Sequence, residues 1–240
     1  MLHKLVIVPL IAISFLVLIQ LANGVFRFLF PVLGLYFAAV MAYNYFFLKR
    51  NKFFSFWSWL RPLFFFLALA GIYLALPHNF ARGLFLVFAV IAIYYVERAL
   101  LVASEQALFL ETLFSYFGLC LTVFAANTFL FPLNSLVLLV FAIFTFLIAR
   151  SSLDYIPQNS QQKNFYSALI AFGVLEFVWA LIFSPFHFTI NTAIIFNVFY
   201  VLWIIVYYYL FHNLTFKKIS FHIIFSSLIV VIAILSTPWK

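Results

Sequence analysis

Residues 165–184 read FYSALIAFGVLEFVWALIFS, a run of twenty with a single charge, Glu176. At 1.5 Å of rise per residue such a run makes a helix about 30 Å long, the thickness of a bilayer's hydrocarbon core. Its apolar residues are continuous, whereas the strands of a membrane barrel alternate apolar and polar residues over about 10 positions. A helix also satisfies its own backbone in lipid, where no water replaces a missing hydrogen bond. The run therefore predicts a transmembrane helix.

Similar runs recur on both sides of it. Spans are expected at 5–22, 28–47, 62–77, 83–102, 107–130, 133–149, 165–184, 190–211 and 221–237, nine in all. Composition agrees, with 68% hydrophobic residues and a mean hydropathy of +1.22, against about half apolar residues in a soluble domain. The predicted fold class is all-α: a polytopic integral membrane helix bundle forming one transmembrane domain over 1–240. Lys4 before an apolar stretch, and the small residues of Ala22-Asn23-Gly24, also fit a cleaved signal, which would leave eight spans. The apolar run is longer than a usual signal core, so an uncleaved first span is the expectation. The polar segment 150–164, RSSLDYIPQNSQQKN, reads as a solvated cytoplasmic hinge between a front part, 1–149, and a back part, 165–240.

Charge gives this arrangement a direction. With the N-terminus inside, the inner segments hold Lys4, Lys49, Arg50, Lys52, Arg61, Arg98, Arg150, Lys163, Lys217 and Lys218, and the outer ones only Arg27, Arg82 and Lys240. Basic residues in short loops resist translocation and favour anionic inner headgroups, so the N-terminus is expected in the cytoplasm and the C-terminus outside a bacterial-type plasma membrane. The net charge of +8 is thereby assigned to lipid rather than nucleic acid, because no folded basic domain carries it. Residues 48–61, LKRNKFFSFWSWLR, are the longest basic and aromatic linker. They read as an interfacial helix in which Lys49, Arg50, Lys52, Trp57, Trp59 and Arg61 meet headgroups.

Pro31, Pro77, Pro132 and Pro185 fall in expected outer turns and Pro238 at the outer end of the last span, the later ones at intervals of 55, 53 and 53 residues. That spacing suits tandem helical hairpins, although the first interval of 46 breaks it. The 37 Phe residues are spread over every span and follow from lipid solubility. Cys120, the one cysteine, lies inside an apolar run without an intrachain partner.

Of the five carboxylates, Glu97, Glu105 and Asp154 are read as loop or interface charges. Glu176 lies 11 residues after Phe165 and nine before Pro185, at the expected midplane. An ionised carboxylate there costs several kcal/mol unless it faces a wet cavity or pairs with a donor, and otherwise it stays protonated. Glu111, Ser115, Gly118, Thr122 and Ala125 form a polar, small-residue stripe at helical spacing, echoed by Gly173, Glu176, Ala180 and Ser184. Such faces allow close helix approach and interhelical hydrogen bonds, so both helices are expected to turn these stripes toward the bundle interior. Asn197 and Tyr200 share one face of the next span, where they could bond Glu176 or line a cavity.

His78 and His187 follow prolines in outer turns, where carboxylates and cysteine are lacking, so no metal site is expected. There is no HExxH, no GxSG around a membrane serine, and no Walker or GxGxxG loop. Neither a cofactor nor a catalytic residue is therefore predicted. The leading functional expectation is a transporter of a small solute, proton or cation, or a membrane subunit of one. Its transport or buried polar site would comprise Glu176, Glu111, Ser115, Thr122, Asn197 and Tyr200. The alternative is a non-catalytic structural or assembly subunit binding lipid, a protein partner or a second copy through its Phe-rich exterior. An intramembrane lipid-modifying enzyme is the lesser alternative, because it needs a nucleophile or metal that the sequence does not supply.

Overall fold

The structure is a computed structural model. It describes residues 56–76, 79–102, 105–129, 135–184, 186–211 and 214–235, with isolated positions between Ile11 and Tyr45; side chains at 97–107 are not described. The helices are α1 (Phe56–Ala75), α2 (Asn79–Val102), α3 (Glu105–Phe129), α4 (Ser135–Ser152), α5 (Ser160–Ile182), α6 (Phe188–Leu210) and α7 (Phe216–Leu235), with a 3-10 turn at Leu153–Tyr155. There is no strand among the described residues. Five helical segments are long and apolar enough to cross a membrane: Leu108–Thr128, Ser135–Tyr155, Ser160–Ile182, Phe188–Leu210 and Phe216–Leu235. Trp59–Ala75 and Phe80–Val96 are shorter apolar helices. The architecture is thus an all-helical apolar one with five candidate spans, and nine are not established. The first two expected spans fall largely outside the described residues.

The chain forms two compact units, Met1–Ser115 and Tyr116–Lys240, whose boundary lies within α3. In the first unit, Phe65, Phe66, Leu69 and Tyr73 of α1 share a buried core with Leu86, Ala89, Ile93 and Val96 of α2. α1 begins six residues before the expected span, because Pro62 lies inside the helix instead of breaking it. Proline removes one backbone donor, a loss that a membrane helix can offset through neighbouring groups. Trp57, Trp59 and Arg61 therefore belong to the same helix as the apolar run that follows them.

In the second unit α4 packs on α5, α5 on α6 and α6 on α7. Tyr116, where the second unit's part of α3 begins, stacks on Phe199 of α6 at 3.6 Å and 14°. The α5 start is capped by Asn159, whose Oδ1 accepts from Gln161 N–H at 3.2 Å. The α6 start is capped by His187, whose Nδ1 accepts from Thr189 N–H at 3.5 Å. Caps of this kind meet backbone donors that the first helical turn leaves open.

Candidate functional site

The face that α5 buries follows from its period. Lys163, Ser167, Ile170, Ala171, Val174 and Val178 are its buried residues, at the three- and four-residue steps of one helical side. Glu176 is two residues from both Val174 and Val178, a rotation of about 200°, so it projects from the opposite side. It is exposed, with Phe172, Phe177, Trp179 and Phe183 exposed around it. The expectation that this stripe faces the bundle interior is therefore corrected: Gly173 and Ser184 are half-buried, and Glu176 and Ala180 face outward. The contact that turns α5 this way is the close approach at Gly173, where a Cβ would sit 3.1 Å from Leu202 Cδ1 of α6.

Glu176 stands deep along this outer face. It lies sixteen residues after Ser160 and six before Ile182, which is about 24 Å from one helix end and about 9 Å from the other. Side chains tilt toward the N-terminal end of their helix, so the carboxyl leans away from the nearer helix end. A charged group in a membrane helix costs up to about 3 kcal/mol on insertion scales, the figure for the helix centre.

The second stripe is placed differently. Glu111, Ser115, Gly118 and Ala125 of α3 are buried, Glu111 at 2% exposure, and Thr122 is half-buried with its hydroxyl donating to Gly118 O at 2.6 Å. Glu111 and Ser115 belong to the first unit and Thr122 to the second.

Asn197 and Tyr200 do share a face of α6, and their partners are on α7. Ser226 Oγ donates to Asn197 Oδ1 at 2.8 Å, while Asn197 Nδ2 donates to Ala193 O at 2.7 Å. The Tyr200 hydroxyl is 2.5 Å from His222 Nδ1, with the Tyr208 hydroxyl 3.5 Å from Nε2, and the Lys218 ammonium lies 5.3 Å from the Tyr208 ring centre. Lys218, His222 and Ser226 are spaced by four, a polar edge of α7 that sequence reading missed. Ser226 is the residue of α7 that is buried.

A second polar cluster was also missed. Segment 150–164 is only in part the solvated stretch expected from its composition: Tyr155, Pro157, 159–162 and Asn164 are exposed, while others pack. Arg150, Ser151, Ser152, Leu153, Ile156 and Lys163 are buried, because the α4 end, the 3-10 turn and the α5 start fold onto one another. Arg150 is 2% exposed and donates from Nε to Asn164 Oδ1 at 2.6 Å, from Nη1 to Asp154 Oδ1 at 3.2 Å and from Nη2 to Ser160 Oγ at 3.2 Å. Lys163 Nζ donates to Asp154 O at 3.1 Å, and Trp203 Nε1 of α6 donates to Ser152 Oγ at 2.7 Å. The planar guanidinium serves three acceptors in fixed directions, which makes this a stitch between α4 and α5.

Among the expected headgroup contacts, Lys49, Arg50 and Lys52 lie outside the described residues. Trp57 and Trp59 are half-buried, Trp59 Nε1 donates to Met41 O at 2.7 Å, and Arg61 is 6% exposed. His78 also lies outside the described residues, as do the side chains of Glu97, Arg98 and Glu105. No group of three or more His, Cys, Asp or Glu side chains comes together among the described residues. No family model matches the chain, and neither a curated relative nor a solved structure does.

Proposed function

We propose that this chain is a non-catalytic, membrane-embedded subunit that works by assembling with another membrane protein through the outer face of α5. The observation that carries the reading is the exposure of Glu176 deep within an apolar helix. A group costly to leave in lipid is retained where another surface receives it. The polar groups between the helices of the second unit support the same reading. Asn197 pairs with Ser226, Tyr200 with His222 and Trp203 with Ser152, in the manner of polar residues that hold packed helices together.

Transport within the second unit loses its motivating arrangement, since Glu176 faces away from the helices that would line a path. Two measurements test the reading. Full-length chain extracted from its own membrane in mild detergent is expected to migrate as a complex larger than one copy. Reconstituted alone in liposomes, it is expected to give no proton or cation flux above empty vesicles. A monomer in the extract, or flux from the chain alone, overturns the proposal.

A further inference from the structure

Phe165, Leu169, Phe172, Glu176 and Trp179 of α5 and Phe183, its C-cap, follow one another in steps of four and three, and all six are exposed. This is the spacing of a seam between two helices that cross at a shallow angle. Glu176 occupies its middle, with Phe172 one turn before it and Trp179 one turn after. Aromatic faces attract cations, most strongly the face of tryptophan, so both the carboxylate and its flanks favour a positive group. None of the 13 Lys and Arg residues of this chain falls in the middle of an apolar run. Among the described residues the deepest, Arg61, lies five residues inside α1 and is 6% exposed, so a second copy presents no exposed lysine or arginine at the depth of Glu176.

We infer that the α5 seam receives a transmembrane helix of a different protein carrying a lysine or arginine near mid-span, paired with Glu176 and flanked by Phe172 and Trp179. This rests on the assembly reading above and names the chemistry of its partner. The pair is formed away from water, so it selects for depth as well as for charge. A cation displaced by two turns along the partner meets apolar residues instead.

The test uses full-length chain in phosphatidylcholine nanodiscs and synthetic host helices of about 20 leucine and alanine residues. One host carries a central lysine, one a lysine shifted by two turns, and one none. The central-lysine helix is expected to bind roughly tenfold more tightly than the other two, and to lose that advantage against Glu176→Gln. The charge-reversed chain, Glu176→Lys, is expected to prefer a host with a central glutamate. Equal binding of all three hosts overturns the inference. So does a chain that dimerises through Glu176 and ignores the lysine helix, because the occupant is then a second copy. Mild-detergent extracts separate the two levels. A large complex that survives Glu176→Gln, with no host selectivity, removes the inference and keeps the assembly reading. A monomeric extract removes the reading itself.

Discussion

Replacing Arg150 with methionine keeps most of the side chain's volume and removes its hydrogen bonds to Asn164, Asp154 and Ser160. The three losses differ in weight. Asn164 and Ser160 are exposed and regain water, whereas the Asp154 side chain is only 15% exposed and loses the guanidinium beside it. Breaking a buried ion pair from one side costs about 3–5 kcal/mol, and partial exposure of Asp154 places the expected loss near the lower figure. Arg150 also sits in the last turn of α4, where a cation interacts favourably with the helix dipole and contributes roughly 0.5 kcal/mol. We expect Arg150→Met to destabilise the second unit by about 3 kcal/mol. Arg150→Lys should recover less than half, because an ammonium on a flexible stem does not reproduce the fork. Adding Asp154→Leu to Arg150→Met should recover part of the loss by removing the carboxylate that the guanidinium had faced. The assay is reversible unfolding in mixed micelles, followed through tryptophan emission, since Trp203 reports from this cluster through its bond to Ser152. A loss below about 1 kcal/mol, the range of a solvent-exposed ion pair, would refute the stitch.

Two further outcomes probe the helix contacts. A double-mutant cycle on Asn197→Leu and Ser226→Ala should give a coupling of about 0.6 kcal/mol, the average for hydrogen bonds between membrane helices, and no more than about 1.7 kcal/mol; a coupling indistinguishable from zero would show that this bond does not hold α7. Gly173→Ala should change stability by less than about 1 kcal/mol, because better helix propensity offsets a 3.1 Å approach to the movable Leu202 Cδ1. Gly173→Leu should separate α5 from α6, read as a lower unfolding midpoint, and an unchanged midpoint would contradict the close approach.

How much of this was legible in the sequence varies with the physics involved. The long apolar runs correspond to α3 through α7, because length and hydropathy alone decide whether a helix fits a bilayer. Which way each helix faces was not legible. On α5, Val174 and Phe172 are equally apolar, so hydrophobic contrast gives no direction. The small-residue stripe misled because Gly173 belongs to the α6 contact while Glu176, three residues on, has already turned outward. Segment 150–164 misleads for the opposite reason. Its polarity suggests hydration, whereas Arg150 pairs with Asp154 and also meets Asn164 and Ser160. Partners far apart in the chain, such as Trp203 with Ser152 or Tyr200 with His222, have no local pattern that announces them.

The stitches of the second unit also set an order in time. Arg150 reaches residues no more than 14 positions away, so the α4 and α5 hairpin is able to close as soon as both helices have left the ribosome. Gln158 then waits for Leu210 O, at the end of α6, and Ser152 for Trp203. The last helix, α7, arrives with one buried residue and a polar edge already awaited by Asn197 and Tyr200. A nascent chain stalled after Leu210 would hold its hairpin closed while Asn197 Oδ1 and the Tyr200 hydroxyl on α6 still awaited their α7 partners, a half-built state marked for quality-control proteases by those polar groups.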